Sequence, residues 1–299
     1  TMNSLSKFII VTLAALMMVA CHKKSNATDN TVQLYFNGDI ITMVGDTPEY
    51  VEALVQQDGK IAFVGSLEKA KKQFPEAAQK DLQGKTLLPG FIDGHGHITG
   101  VGFQGAIANL LAAPDGEGDS VEDIIRILKK WKDENPEYIN KIGWVLGIGY
   151  DDALLDRYPT KEDLDKVSTD LPVYIAHQSG HLGVANTKAL EMVGINAASK
   201  NPDGGVIRRM KDSQEPSGVL EENANFQVLY GQVMPKLNLE MELENLKKGQ
   251  EIYASYGYTT AQDGRSSKGN THAMEEAAQR GQLFIDVVSY PAIITNIDN

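Results

Sequence analysis

The amino-acid sequence predicts an α/β protein in which a small β-rich unit precedes a parallel sheet. Residues 32–90 hold short runs of strand-forming residues, and an Asn-Gly and an Asp-Gly pair each separate two of these runs. Such pairs are typical of tight turns between antiparallel strands. Residues 240–290 alternate helix-length and strand-length patterns twice, at a spacing typical of βα units in a parallel sheet. The 299 residues are enough for about two domains.

The β-rich unit is expected to contain two hairpins and a short helix. Asn37-Gly38 and Asp58-Gly59 would form the two turns, and Ser66 would cap the helix. The expected elements are strands 32–36 and 39–43, strands 52–57 and 60–64, a helix 66–74 and a strand 81–88.

Helices and strands are expected to alternate in the rest of the chain. Ser120 and Asp123 form a capping pattern before an amphipathic helix, and Gly194 would end a later helix. The expected elements are helices 121–133, 187–193, 240–256 and 271–280, strands 144–148, 172–177, 258–262 and 283–290, and a basic hairpin around Arg208 and Arg209. The residues expected on the buried side of helix 240–256 are Leu243, Leu246, Ile252 and Tyr253.

The composition is that of a soluble globular protein with an acidic surface. Hydrophobic residues make up 42% of the chain and charged residues 23%, and the formal net charge is −12. This charge argues against nucleic acid as a partner and suits a soluble enzyme.

The amino terminus has the pattern of an export signal. Lys7 precedes an apolar run over residues 8–20, which has the length of a signal peptide rather than of a membrane span. Cys21, the one cysteine of the sequence, follows directly and resembles the acylated cysteine of a bacterial lipobox. We expect a lipoprotein signal peptide over residues 1–21, a polar tether over 22–31, lipidation of Cys21 and a lipid-anchored location in the bacterial cell envelope, outside the cytoplasm. The alternative is an ordinary cleaved signal peptide with a coincidental cysteine.

Residues 87–97 end in two histidines, His95 and His97, that are one residue apart. Side chains on a strand alternate between faces, so these two would point the same way and form half of a metal site. Asp93 could orient one imidazole through a hydrogen bond. The alternative is a pair of surface histidines in a glycine-rich turn.

An ordered series of motifs in the chain resembles the amidohydrolase superfamily, in its amidohydrolase-3, YtcJ-like branch. The resemblance begins at the β-rich unit and at the PGFID-x-H-x-H pattern that ends at His97. It continues to the end of the chain. The other matching segments are residues 144–151, 159–165, 172–190, 203–205, 216–222 and 257–263.

This resemblance implies an incomplete TIM (β/α)₈ barrel of the metal-dependent hydrolase type, with a small N-terminal β-sandwich domain and an inserted α+β region. We expect the β domain over residues 32–86, the first barrel strand with the two histidines over 87–100, the insert over 101–235 and partial barrel βα units over 236–299. Three or four barrel strands can be placed, and no histidine follows His272. We therefore expect the chain to be the amino-terminal part of a longer protein, truncated as it stands.

The resemblance also implies metal ligands. His95 and His97 would bind a divalent metal from the first barrel strand, and Glu222 stands at the position of the family's bridging carboxylate. Ligation by several histidines suits zinc, with iron and manganese as alternatives. The alternative for Glu222 is a carboxylate at the start of a helix.

The substrate-binding residues implied by the resemblance are His181, Tyr150, Asp151 and Asp263. Asp263 is expected at the carboxyl end of a strand, where such barrels keep their sites. The alternatives are a loop hydrogen bond for His181 and a turn for Tyr150 and Asp151. His177 has no matched role, so we expect it to be structural, and we expect His272 on the surface.

The family implies hydrolysis of a carbon–nitrogen bond other than a peptide bond, in a small amide-like substrate, by metal-activated water. No catalytic residue is identified in this chain, so we expect little or no turnover from it alone. The partners expected are a small molecule, the membrane only through the lipid anchor, and other copies of the chain if it forms a homo-oligomer. The alternatives are a lipid-anchored, non-catalytic metal-binding protein and a degenerate fragment.

Overall fold

The computed structural model describes residues 31–293, which form two compact units over residues 31–89 and 90–293. The predicted signal peptide, most of the tether and Cys21 lie outside the described residues. Within the part of the chain that is described, no helix combines the length and apolar character that a membrane span needs. The predicted α/β class is confirmed.

The first unit is a mixed sheet with one helix against it. The sheet order is β3-β2-β1-β4, and β5 also pairs with β1. Strands β1, β2 and β3 are antiparallel, whereas β4 and β5 run parallel to β1. Residues 31–89 form this single sheet, so they do not make the predicted β-sandwich. The elements are β1 Gln33–Ile41, β2 Tyr50–Gln57, β3 Lys60–Gly65, α1 Leu67–Gln73, β4 Ala78–Asp81 and β5 Thr86–Leu87.

The hairpin predicted at Asn37-Gly38 is wrong, because β1 runs straight through this pair. Asn37 adopts a left-handed conformation with φ of 59°, and the pairing with β2 shifts register between Phe36 and Ile40. A Cβ on Gly38 would lie 2.2 Å from the carbonyl oxygen of Lys85. The pair therefore forms a β-bulge that leaves room for the neighbouring chain. The second hairpin is confirmed, with Asp58 at its turn.

The second unit contains two sheets. The order of the larger sheet is β11-β12-β10-β9-β8-β7 and that of the smaller one is β14-β13-β6. The elements are β6 Phe91–Ile92, α2 Ile98–Ala106, β7 Ala108–Asn109, α3 Val121–Glu134, α4 Pro136–Ile142, β8 Val145–Tyr150, α5 Lys161–Asp165, β9 Val173–His177, β10 Leu182–Ala185, α6 Thr187–Met192, β11 Gly205–Arg209, β12 Pro216–Glu222, α7 Asn223–Val228, a π-helix Leu229–Val233, a 3₁₀ turn Met234–Lys236, α8 Leu239–Ser255, β13 Tyr258–Ser266, α9 Lys268–Gln279 and β14 Asp286–Pro291.

The larger sheet is buried on both faces. Successive residues of β8 point to opposite sides, so Val145 packs with α3 while Leu146 packs in a second cluster with Tyr174. Trp144, which directly precedes the strand, belongs to this second cluster. Strands β7, β8 and β9 are parallel, and the remaining strands continue the sheet in antiparallel pairs. The carboxyl ends of β8 and β9 consequently lie side by side.

The smaller sheet consists of three parallel strands, and residues 31–293 form no closed barrel. Leu243 and Leu246 of α8 are buried as predicted, with Ala261 of β13, whereas Ile252 and Tyr253 are half-buried. Helix α9 begins at Lys268 rather than at residue 271, because a Ser267–Asn270 capping box starts it.

Helices α2 and α8 approach each other closely through two glycines. A Cβ on Gly102 would lie 1.8 Å from the carbonyl oxygen of Asn245, and one on Gly249 would lie 2.3 Å from that of Ile98. The obstructing atoms belong to the backbone, so a side chain fits at neither position unless the helices move apart. This contact fixes α2, which follows the histidine pair directly.

We predict that Gly102→Ala lowers the free energy of unfolding by about 1–3 kcal/mol, because the added methyl overpacks the helix contact. Gly100→Ala is the matched control in the same helix, since its Cβ would meet only His97 Cβ, at 3.6 Å. There alanine should be neutral or stabilise by up to about 1 kcal/mol through helix propensity. Urea denaturation measures both variants, and equal effects would contradict the close packing.

Candidate metal centre

The turn after β6 is held by the buried carboxylate of Asp93. Its Oδ1 accepts a hydrogen bond from the backbone nitrogen of His95, and its Oδ2 accepts one from that of Gln262, both at 3.1 Å. The prediction that Asp93 orients an imidazole is therefore wrong. Its carboxylate instead positions the backbone and ties the turn to β13.

Gly96 sits where a larger residue has no room. A Cβ there would lie 2.0 Å from Asp93 Oδ2 and 2.3 Å from the hydroxyl of Tyr253. The carbonyl of Gly96 also accepts a hydrogen bond from the amide of Gly264, at 2.8 Å. The glycine between the two histidines thus lets the turn pack against β13 and α8.

The ring of His97 is oriented by a backbone carbonyl. Its Nδ1 lies 2.8 Å from the carbonyl oxygen of Gly264. A carbonyl only accepts hydrogen bonds, so Nδ1 carries the proton and Nε2 keeps a free lone pair. This tautomer is the one that a metal-binding histidine needs.

The two histidines are neighbours, as predicted, but strand alternation is not the reason. Strand β6 ends at Ile92, and the chain then bends through His95 before His97 pairs with Asp263 in an isolated bridge. The ring centroids of His95 and His97 are 5.4 Å apart, edge to face. Both side chains are exposed, so an ion can reach them from solvent.

Asp263 is buried, with 2% of its surface exposed. Its Oδ1 accepts hydrogen bonds from the backbone nitrogen and hydroxyl of Thr99, at 3.1 and 2.7 Å, and its Oδ2 accepts one from the hydroxyl of Ser266. These bonds join β13 to the first turn of α2. The predicted contact of Asp263 with substrate is not supported, because the carboxylate is enclosed and fully engaged.

Two groups of α8 lie behind the turn. Burial, together with the negative charge of Asp263, raises the pKa of Glu242. Burial, together with Asp93, raises the pKa of Tyr253, whose hydroxyl hydrogen-bonds the Asp93 carboxylate. The phenol therefore stays protonated and donates to Asp93.

The residues at the turn fit a divalent metal. Two exposed imidazoles are neighbours, with ring centroids 5.4 Å apart, and a hydrogen bond leaves Nε2 of His97 available as a ligand atom. Among residues 31–293, no third carboxylate or imidazole comes within 4.8 Å of both as a ligand group. The pair therefore supplies two ligand positions by itself.

Glu222, the third predicted ligand, contacts His181 instead. Its Oε2 lies 3.0 Å from His181 Nδ1, and both side chains are exposed. Glu222 adopts φ of 49° immediately before α7, which is an unusual conformation for a residue with a side chain. The structure brings these two predicted residues together but does not place Glu222 with His95 and His97. Its role as a metal ligand stays a prediction.

An apolar cavity of about 180 Å³ lies between α2 and the larger sheet. It begins at Gly100, one turn after His97, and includes Gly180, which precedes His181. A 150 Å³ cavity of similar lining is large enough for benzene. The other lining side chains include Phe103, Leu146, Tyr174, Tyr230 and Met234.

Tyr150 and Asp151 are consecutive residues in different environments. Tyr150 is fully buried, and burial raises the pKa of its hydroxyl far above the usual range. Its predicted contact with substrate is not supported, because the ring belongs to the core. Asp151 is half-buried and accepts hydrogen bonds from the amide of Ala153 and the side chain of Gln178. Its contact with a substrate stays a prediction.

The sequence interpretation missed His177. The ring nitrogen Nε2 of this residue lies 3.2 Å from Asp152 and 3.6 Å from Asp151. Tyr150 and His177 are paired across two parallel strands. The signal was available in the sequence, because Asp151 and Asp152 follow the predicted strand 144–148 and His177 ends the predicted strand 172–177. The carboxyl ends of adjacent parallel strands meet.

Comparison with known proteins identifies relatives of this chain. A family model described as the amidohydrolase family matches residues 80–298. The YtcJ protein of Bacillus subtilis (strain 168) is 32% identical over 201 residues, which cover 66% of this chain and 36% of YtcJ. The N-substituted formamide deformylase of Arthrobacter pascens is 32% identical over 177 residues, which cover 58% and 31% of the two chains.

Two solved structures share the fold. An uncharacterized metal-dependent hydrolase from Pyrococcus horikoshii OT3 aligns with a TM-score of 0.63 and 25% identity, covering 87% of this chain and 48% of that one. Another from Pyrococcus furiosus aligns with a TM-score of 0.62 and 22% identity, covering 87% and 50%. The chain spans about a third to a half of the length of these relatives.

We predict that Glu242→Gln raises the free energy of unfolding at pH 7. A raised pKa in the folded chain means that folding penalises the ionised carboxylate. The stability associated with the protonated form is complete below about pH 4.5, the usual value for this group, and is lost as the pH rises through the raised pKa. A neutral glutamine avoids this loss and can still accept the hydrogen bond from Asn270.

Urea denaturation at pH 7 and at pH 4 measures the effect, which should shrink at the lower pH. Glu240→Gln is the control on the same helix, because Glu240 is exposed and paired with Arg280. That variant should change stability by less than about 1 kcal/mol and should not stabilise at pH 7. A lower free energy of unfolding for Glu242→Gln than for the wild-type chain at pH 7 would contradict the raised pKa of Glu242.

Proposed function

Because the chain belongs to the amidohydrolase family, in its YtcJ-like branch, we propose that the protein is a metal-dependent hydrolase. Its reaction is the cleavage of a carbon–nitrogen bond other than a peptide bond in a small amide-like molecule. The observation that supports this proposal most directly is the orientation of the His97 ring beside that of His95. Together the two rings would form half of a metal centre. The name of the Arthrobacter pascens relative, a deformylase of substituted formamides, is consistent with this reaction class.

His95 and His97 would hold the metal through ring nitrogens, with zinc as the expected ion. Such an ion supplies Lewis-acid chemistry, since it lowers the pKa of water and polarises a carbonyl oxygen. For this chain alone we propose little or no turnover, because no described residue places a third ligand group next to both His95 and His97.

The other residues of the turn position the histidines. The carbonyl of Gly264 fixes the proton of His97 on Nδ1, and the carboxylates of Asp93 and Asp263 fix the backbone on either side. A shift of about 1 Å at such a site can cost on the order of 100-fold in rate. These side chains therefore act by positioning and not by contact with substrate.

His181 and the apolar cavity would bind the substrate. The cavity is large enough for an apolar group of about the size of benzene. Gly180 lines this cavity, and the next residue in the sequence is His181, whose side chain is exposed. Glu222 holds Nδ1 of His181 and leaves Nε2 free to bond a polar substrate atom. If Glu222 acts as a metal ligand, this contact has to break.

We also propose that Cys21 is lipidated and anchors the protein in the cell envelope, outside the cytoplasm. The support is the sequence pattern of residues 7–21, and two or more acyl chains would give stable anchoring. Incorporation of labelled palmitate in a bacterial host should occur in the wild-type chain and be lost in Cys21→Ser. Equal labelling of both chains would contradict the proposal.

We predict that replacing His95 and His97 with alanine removes one bound zinc ion per chain. The physical reason is the loss of both imidazole ligands, and elemental analysis after dialysis against zinc measures it. Any turnover on a panel of small amides should be lost with the ion. His272→Ala is the matched control, because His272 is exposed on α9, and it should keep both readouts.

An unchanged zinc content in the double variant would contradict the assignment of the metal to this pair. Loss of one ion with no turnover by the wild-type chain is the outcome expected for this chain alone. Turnover of any small amide that survives in the double variant, after the ion is lost, would contradict the metal-dependent hydrolase proposal.

A further inference from the structure

A second group of metal-binding side chains lies at the carboxyl ends of β8 and β9. Asp151 and Asp152 directly follow β8, and His177 ends β9, its parallel neighbour. One ligand atom of each residue lies within 4.8 Å of the others. In the described part of the chain, this is the one group of three such residues, and none of the predicted metal ligands belongs to it.

The ring of His177 is buried, with 9% of the residue exposed. Its Nε2 has no hydrogen-bond partner, although it lies 3.2 Å from Asp152 Oδ1 and 3.6 Å from Asp151 Oδ1. Leaving a buried polar atom unsatisfied destabilises the folded chain. The nitrogen is thus aimed at two carboxylates without bonding to either.

We propose that Asp151, Asp152 and His177 form a second metal site, distinct from the histidine pair, that binds a divalent transition-metal ion such as Zn²⁺ or Mn²⁺. An ion between the three would satisfy Nε2 and would neutralise the two carboxylates. This inference does not depend on the hydrolase reaction proposed above.

The separations suit a shared ion. Ligand atoms about 2.1 Å from one metal lie about 3.0–3.5 Å from each other in octahedral or tetrahedral geometry. The distances from Nε2 to the two carboxylate oxygens, 3.2 and 3.6 Å, are close to this range. Small side-chain movements would complete the site.

The chemistry of the donors favours a transition metal. One imidazole with two carboxylates matches Zn²⁺ and Mn²⁺ better than Ca²⁺ or Mg²⁺, which prefer oxygen ligands alone. Three protein ligands leave at least one position for water or a second molecule. Asp151 and Asp152 are half-buried, so solvent reaches the group.

The other nitrogen of the ring has a partner of the required kind. Nδ1 of His177 lies 2.8 Å from the hydroxyl of Ser179, and the backbone amide of Ser179 lies 3.0 Å from the same atom. Without metal, the amide donates to Nδ1 and the ring proton sits on Nε2. Metal on Nε2 requires the proton on Nδ1, which then donates to the Ser179 hydroxyl, and the amide of Ser179 gives up its hydrogen bond to Nδ1.

The site would connect two loops. The ion would bridge residues 151–152 to the turn over 177–181, which carries His181 four residues after His177. The hydrogen bond between Gln178 and Asp151 already joins the same two segments. Metal binding should therefore rigidify the turn that holds the proposed substrate contact.

The test starts from the His95→Ala/His97→Ala chain, in which the first site is removed. Isothermal titration with Zn²⁺ and Mn²⁺, and visible absorption with Co²⁺, should each report one ion per chain. Adding Asp152→Asn should weaken binding at least tenfold, because it removes one ligand charge with almost no change in shape. His177→Gln should do the same, and far-UV circular dichroism checks that each variant is folded.

Two controls sharpen the result. His272→Ala in the same background removes an exposed histidine and should leave the titration unchanged. Hydrogen exchange should show metal-dependent protection of residues 151–154 and 177–181, absent in the Asp152→Asn chain. A background chain that binds no transition metal, or one whose binding survives in folded Asp152→Asn and His177→Gln chains, would overturn the proposal.

Discussion

Two buried carboxylates, those of Asp93 and Asp263, hold the turn on which the rest of the site depends. Burying a charge is costly unless hydrogen bonds compensate it, and each carboxylate accepts bonds from two separate segments. Together their hydrogen bonds connect the end of β6, the start of α2 and the end of β13. The carbonyl of Gly264, in the same region of β13, fixes the proton of His97 on Nδ1 and leaves Nε2 available.

Local patterns predicted the elements of the second unit well because they depend on neighbouring residues. The capping residue Ser120, the turn at Gly194 and the apolar positions of α8 each act within a few residues along the chain. His95 and His97 are neighbours as predicted, although a turn after β6, and not strand alternation, brings their rings together. The family motifs predicted the α/β class and the family to which the chain belongs.

Tertiary contacts decided what the sequence could not. Asn37 forms a bulge instead of a hairpin because Lys85 packs beside Gly38. Asp93 accepts hydrogen bonds from backbone amides and does not contact an imidazole. Asp263 is enclosed by Thr99, which is distant along the chain, and by Ser266, which is three residues away. His177 gains its carboxylate neighbours through the pairing of β8 with β9. Lys85, Thr99, Gln262 and Asp152 are all distant along the chain from the residues they contact, so no local pattern shows these contacts.

The most direct test of the central claim is an anomalous scattering map from crystals of the chain soaked in zinc. The account predicts a peak about 2.0–2.1 Å from Nε2 of His97, with a ring nitrogen of His95 as a second ligand and Nδ1 of His97 still on the carbonyl of Gly264. Absence of a peak at the pair, or an ion on Nδ1 with the Gly264 contact broken, would contradict it.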